Sequence, residues 1–355
     1  FLSLFLLVAP EAAGQHRIKS DGSVFLQDPE RTEWGLFTGD EMIEVSLTFD
    51  ITTFLDEKPA EEYLSAAMVL NSGRPDSLQL SIQLRARGNY RYRNCPFPPI
   101  RLNLAKASTP YSDLAEMDNL KMVTHCRDDE EYMIYILREY LIYRMYNIIT
   151  ENSFRVRLLR VHYNDTGSGG DSFTSLAFVI EPVDVIEKRL KLAEREEEGV
   201  KLDMLNPQNS NRLTMFQFMI ANTDWFVHTT HNIKLFKPSD EHPENYYIAI
   251  PYDFDYSGFV NAMYALPRPG MNIEELRERT FAGLCTTDDE VQQILDEFKT
   301  HRKDLLNEIS NLKQLDARHR IDLKRFVRSF YSLYHGDKIV EIIKETCIDQ
   351  EDIAN

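Results

Sequence analysis

Several signatures by which enzymes are recognised are missing from this 355-residue chain. It has no GxSxG elbow for a serine hydrolase and no Walker-type phosphate loop. The run at 167–170 (GSGG) reads as a turn, without the Lys-Ser/Thr that a phosphate loop needs next. The four cysteines, Cys95, Cys126, Cys285 and Cys347, contain no CxxC pair and no metal-ligand spacing. Positive charge is scarce: 40 Lys and Arg stand against 57 Asp and Glu, for a net charge of −17. A broad nucleic-acid surface is thereby excluded, whereas a small basic pocket for one phosphorylated ligand is not. No internal repeat of fixed period is evident. The apolar run at 1–10 (FLSLFLLVAP) is about half the roughly 20 residues a membrane-spanning helix needs.

What is present is a globular composition. Hydrophobic residues make up 43%, with 17 Tyr and 20 Phe, which is incompatible with a solvated low-complexity chain. The length allows one large domain or two packed lobes. The apolar run followed by Ala12, Ala13 and Gly14 reads as the remnant of a secretory signal over 1–14, with a buried N-terminal strand as the alternative. The chain is therefore expected to be exported: periplasmic, at the cell surface or extracellular, with no transmembrane segment after cleavage. In such a compartment an even cysteine count permits disulfides. Four cysteines allow three pairings, of which Cys95 with Cys126 is preferred because they lie in neighbouring ordered segments; four free thiols are the alternative.

Organisation changes along the chain. Residues 44–50 (EVSLTFD), 78–85 (LQLSIQLR) and 100–104 (IRLNL) alternate as strands do, and 120–124, 154–163 and 173–180 are further strand candidates. Residues 130–149 form the clearest helix, with acidic residues at its positive end. A charged helix is expected over 184–197, an apolar one over 212–221, strands at 233–236 and 246–250, and amphipathic helices from 288 onward. The order is β-rich first and helical later, with a boundary near 183, which predicts an α+β protein with lobes 15–183 and 184–355 facing one cleft.

The densest polar stretch is 222–232 (NTDWFVHTTHN), between the apolar helix and a strand. About twenty residues on, Asp253 and Asp255 end a second strand, and two strands so connected commonly pair, bringing Asn232 and Asp253 to one edge. A carboxylate and an amide there are hard oxygen ligands suited to Mg²⁺, which would in turn hold polyphosphate. Asp224 could orient or deprotonate an attacking hydroxyl; its distance to Asn232 is longer than in the H-R-D-x-x-x-x-N loop of ordinary protein kinases. The bland alternatives are that Asp224 makes an Asx turn and that Asp253 and Asp255 merely close a strand. His228 and His231 look like a zinc pair but lack a third ligand; packing and loop hydrogen bonds account for them better. Arg85, Arg87, Arg91 and Arg93 alternate, as a phosphate-contacting face or as surface ion pairs.

Six features in order resemble the spore coat protein H (CotH) kinase family of atypical, protein-kinase-like proteins. They are Arg85-Ala-Arg87-Gly88-Asn89, the strand at 100–104, residues 124–129 leading into the long helix, a strand ending in Phe178-Val-Ile-Glu181-Pro-Val-Asp184, the loop 222–232, and 251–255 (PYDFD). They span roughly residues 45–260. The loop with the following Tyr-Asp-Phe-Asp also resembles the HipA-like atypical kinases. The resemblance implies a protein-kinase-like two-lobed fold, ATP and Mg²⁺ as cofactors, catalysis by Asp224, and metal ligation by Asn232 and Asp253. It also implies a hinge over 179–184, including Glu181, whose backbone would face the nucleotide base. The family commonly has Lys before the strand that follows its Arg-Gly-Asn motif, where this chain reads Cys95-Pro-Phe-Pro-Pro-Ile-Arg101; Arg85, Arg87 or Arg101 would then have to grip the phosphates. The function so implied is phosphoryl transfer to a hydroxyl, a Ser or Thr of a protein being the expected acceptor. Two readings compete with it: a non-catalytic kinase-like binding or structural module, and metal-dependent hydrolysis of a phosphorylated substrate.

Overall fold

The computed structural model describes residues 32–348 apart from 106, 168, 239–245, 270–272 and 335–337; the expected signal remnant lies outside the described residues. The first half is a β-barrel. Strands β1 (Ile43–Phe49), β2 (Leu64–Leu70), β3 (Leu78–Ala86), β4 (Ile100–Asn103), β5 (Leu120–Val123), β6 (Val156–Asp165) and β7 (Ser172–Ile180) are ordered β1-β2-β3-β4-β5-β7-β6. Short helices α1 (Ile51–Glu57), α2 (Tyr90–Asn94) and α3 (Ser112–Ala115) fill connections between them. Alternation drives the arrangement: β1 and β3 bury every second residue, so Val45, Leu47, Phe49, Leu80, Ile82 and Leu84 meet in one core inside the barrel.

Closure corrects the expectation of a protein-kinase-like two-lobed fold. β6 lies parallel to β1 over Ile43↔Leu159 to Phe49↔Asp165, so the sheet has no open edge, unlike the open sheet expected of such a lobe. The α+β class itself holds. β2 (LSAAMVL) escaped the sequence reading because its small central residues do not alternate clearly.

Helix α4 (Glu130–Ile149) starts at Asp129, whose carboxylate accepts from Glu131 N–H. It is buried around most of its circumference, Arg138 and Glu139 included, because the barrel and the later helices enclose it. Helix α5 (Val183–Leu190) stops short of the expected 197. Lys191 turns left-handed (φ 54°), and β8 (Leu192–Glu194) follows, an edge strand on β9 (Ile233–Pro238). α6 (Pro207–Met219) precedes β9, and β10 (Ile248–Pro251) completes a three-stranded sheet in the order β10-β9-β8. Helices α7 (Asp288–Asn311), α8 (Ala317–Ser332) and α9 (Lys338–Thr346) close the chain; α7 begins with a Thr287–Glu290 capping box and packs on α4.

Both disulfides are formed, Cys95–Cys126 and Cys285–Cys347. The first joins the end of α2 to the lead-in of α4, alongside the Phe97 N–H to Cys126 C=O bond of 3.0 Å. Among the described residues no helix is long and apolar enough to cross a membrane.

Candidate functional site

A cleft of about 500 Å³ lies between the barrel end, α4 and the loops around β9 and β10. That is within the roughly 300–1,000 Å³ of small-molecule sites. Its floor starts from the end of α6. Ala221 turns left-handed (φ 50°), and the Asn222 side chain accepts from Asp224 N–H at 3.1 Å, an Asx turn that fixes the Asp224 backbone. The chain then doubles back in a tight hairpin, with Phe226 N–H bonded to His231 C=O at 2.9 Å and Thr230 N–H to Val227 C=O at 3.1 Å. This hairpin absorbs the long interval between Asp224 and Asn232. His231 Nε2 meets Asp224 Oδ1 at 2.9 Å, and Asn232 Nδ2 donates to Asp224 Oδ2 at 3.0 Å and to its carbonyl at 2.8 Å. The Asx turn is therefore made by Asn222 rather than by Asp224, whose carboxylate is left to face the cleft with its bonds from His231 and Asn232.

Pairing of β9 with β10 delivers the second acid. Ile233 lies opposite Pro251, and Tyr252 N–H donates to Asn232 C=O at 3.0 Å, so Asn232 and Asp253 leave the same end of the ladder. Both adopt left-handed backbone, φ 54° and 60°. Non-glycine residues hold such conformations at a cost of about 1–3 kcal/mol and concentrate where a side chain must be aimed. The Asp253 amide is satisfied by the buried Tyr143 hydroxyl of α4 at 2.9 Å. Its carboxylate, half-buried, meets no hydrogen-bond or ion-pair partner among the described residues.

The roof is the turn after β3. Arg87 N–H pairs with Pro99 C=O at 2.9 Å, and Gly88 (φ +100°) supplies a backbone reversal that an L side chain would strain, carrying the chain into α2. Arg91 on α2 reaches into the protein, 3.6 Å from Glu139 and donating to Thr124 C=O at 3.1 Å. Burial works against its charge, but Tyr264, Glu139, Asp255 and Asp253 together hold the guanidinium above its ordinary value. Burial pushes Asp255 up to about 7, with Asp253 adding to it and Arg91 and a 3.0 Å bond from Tyr264 opposing it. Burial likewise raises Glu139 against the pull of Arg91. Arg87 is lowered by burial, with Asp253 opposing.

Lys121 of β5 also lines the cleft, its ammonium 5.2 Å from the Tyr252 ring centre. Burial, then Arg87, Lys234 and Arg101, lower it to about 8. In register, Arg85 lies opposite Arg101 and Arg101 opposite Lys121, a row of three cations across β3, β4 and β5. Like charges directly opposite in a sheet repel, so the row favours an anion at its end.

Of the residues expected from sequence, Asp224, Asn232, Asp253 and Arg87 line this one cleft. Arg85 and Arg101 do not: Arg85 is engaged with the Ala60 carbonyl, Glu61 and the Tyr63 ring, and Arg101 sits beside it in the cation row. Glu181 does not line the cleft either; it is buried in a two-bond pairing with Arg189 at 2.8 and 2.9 Å. Its predecessor Ile180 does, with Val123 and Phe154. Sequence reading missed Lys121 and Glu139; it includes Arg91 in the alternating arginine set, but not its pairing with Glu139. The available signal was a charge inside an apolar element, Lys in LKMV and Glu in IYILREYLIY, where burial demands a partner.

A divalent cation fits the donor set. Asn232 uses its nitrogen on Asp224, which leaves its amide oxygen available, and the Asp253 carboxylate is unpartnered. Among the described residues no group of three or more His, Cys, Asp and Glu is arranged to hold a metal. Two protein oxygens completed by ligand phosphates and water is a Mg²⁺ pattern, whereas His228 and His231 do not form a zinc site.

No family model matches the sequence, and no curated protein matches it. Among solved structures, the crystal structure of a Helicobacter pylori proinflammatory kinase, CtkA, superposes with a TM-score of 0.39 at 8% identity, over 70% of this chain and 92% of that one. A likeness of that size leaves the functional assignment to the geometry of the cleft.

Proposed function

We propose that the cleft binds a Mg²⁺–nucleotide polyphosphate and transfers its terminal phosphoryl group to a hydroxyl, with Ser or Thr of a protein as the first acceptors to test. The observation that carries this reading is the convergence of an acid held by an imidazole and an amide (Asp224), an unpartnered acid on strained backbone (Asp253), and two cations (Arg87 and Lys121) in one cleft. Asp253 and the Asn232 oxygen would hold the metal, whose chemistry is to neutralise and orient the phosphates. Lys121 and Arg87 would contact phosphate oxygens, Lys121 as a point charge and Arg87 as a fork. Val123, Phe154 and Ile180 offer apolar surface to a flat base. Asp224 would orient the acceptor hydroxyl and receive its proton, so that catalysis is mostly positioning and charge neutralisation. We read the two disulfides as fitting an oxidising compartment, in agreement with export.

The test is incubation of the purified protein with γ-labelled ATP and Mg²⁺, together with nucleotide-dependent melting. Transfer to acceptor peptides and a nucleotide-induced rise in Tm are expected, both lost in Asp253→Ala, with transfer alone lost in Asp224→Ala. A rise in Tm without transfer supports a cleft that only binds; the absence of both the Tm rise and the transfer refutes the proposal.

A further inference from the structure

The side-chain hydroxyls lining the cleft belong to four tyrosines, Tyr90, Tyr143, Tyr252 and Tyr256; no Ser or Thr lines it among the described residues. Two of the four are committed elsewhere. Tyr143 is fully buried and its hydroxyl accepts the Asp253 N–H, while Tyr252 lies beneath the Lys121 ammonium. Tyr90 is 49% exposed, at the mouth. Tyr256 belongs to a three-ring cluster, 6.2 Å from Tyr90 and 5.8 Å from Tyr264, and it follows Asp255 directly. Burial, then Tyr90, Asp255 and Asp224, push its hydroxyl up to about 12. The phenol thus keeps its proton at neutral pH and needs a base to act as a nucleophile, and Asp224, which lines the same cleft, is the carboxylate already oriented by His231 and Asn232.

We propose that the Tyr256 hydroxyl is itself an acceptor, phosphorylated within its own chain from nucleotide bound in the same cleft; this rests on the phosphoryl-transfer reading above. Tyr256 Oη forms the new bond to the γ-phosphorus, and the bond from that phosphorus to the β–γ bridging oxygen breaks. The nucleoside diphosphate departs, and the phenolic proton passes to Asp224. The resulting phosphate sits next to Asp255 and Asp224, whose charges oppose it, so the modified residue blocks a second nucleotide and the reaction stops at one group per chain.

The experiment incubates the full chain with Mg²⁺ and ATP, with and without a pool of Ser- and Thr-containing peptides, and reads intact mass and peptide maps. Tyr256→Phe keeps the ring packing and serves as the diagnostic variant, with Tyr90→Phe as the neighbouring control. One phosphoryl group per chain is expected on the peptide carrying Tyr256, at a first-order rate independent of protein concentration. It should vanish in Tyr256→Phe and Asp224→Ala and persist in Tyr90→Phe. Peptide labelling without modification of Tyr256, or self-labelling unchanged in Tyr256→Phe, overturns this proposal and leaves the phosphoryl-transfer reading standing. No labelling anywhere and no nucleotide-dependent melting shift overturns both.

Discussion

Opening each disulfide separately tests whether the roof of the cleft is held by its covalent tie. Cys95–Cys126 closes a loop with a sequence separation of 31, and Cys285–Cys347 one of 62. The chain-entropy relation gives each link about 4 kcal/mol, and the doubling of loop length separates them by only about 0.6 kcal/mol. For a chain of this size about 1.5 °C of Tm accompanies each kcal/mol, so Cys95→Ala/Cys126→Ala and Cys285→Ala/Cys347→Ala should each lower Tm by about 6 °C. Their local effects should differ. The first link anchors the segment carrying Arg87 and Arg91, which is otherwise tied to the α4 lead-in by the Phe97–Cys126 backbone bond and the Arg91–Thr124 bond. The second joins the residues before α7 to those after α9. Calorimetry gives the global term and amide hydrogen exchange over 87–99 the local one. Faster exchange there in the first variant, and none in the second, is expected. Equal exchange in both, or a Tm shift below about 2 °C in either, would refute the reasoning.

Lys121→Met should fold normally and lose nucleotide binding by about tenfold or more, as removal of a charge-assisted phosphate contact does. In the wild type, binding should weaken as pH rises past about 8, where free Lys121 sheds its proton; a flat profile between pH 7 and 9 in nucleotide-dependent melting counts against the assignment. Asp255 has a folded-state value near 7, above its ordinary 3.8, so the native state binds a proton that the unfolded chain releases. Its contribution is fully present below about pH 4 and lost as pH rises to about 7. Denaturant titrations of Asp255→Asn should show a flatter stability profile over that window, and an unchanged profile would argue against the buried acid. Arg189→Ala would leave the Glu181 carboxylate, 1% exposed, without its countercharge and with the Arg155 N–H bond at 3.0 Å, and should cost about 3 kcal/mol by urea unfolding with nucleotide binding unchanged. Loss of binding at normal stability would place this pair in the site after all.

How much of this was legible differs by element. The strand segments at 44–50, 78–85 and 173–180 and the helix at 130–149 follow from local periodicity, which reports which face a residue turns inward. The helix over 184–197 was cut short because Lys191 takes left-handed backbone and the next residues add to β9, a choice made by the neighbouring strand. Arg85 and Arg101 are expected to grip phosphates, but strand register places them along a row whose end at the cleft is Lys121. Glu181 is placed by the resemblance in a hinge facing a nucleotide base; the fold instead buries it outside the cleft, with Arg189, eight residues on, taking both its oxygens.

By itself the sequence determined that Asn232 and Asp253 would share an edge, because two strands with a short connection pair and their ends coincide. It also favoured, without deciding, the Cys95–Cys126 pairing that the structure forms. Barrel closure was decided only in three dimensions. Parallel pairing of β6 with β1 joins residues more than a hundred positions apart, and alternation records the buried face of a strand but not its partner. The same limit hid Lys121 and the Arg91–Glu139 pair: a charge in an apolar element announces that something must meet it, and tertiary packing alone says what does.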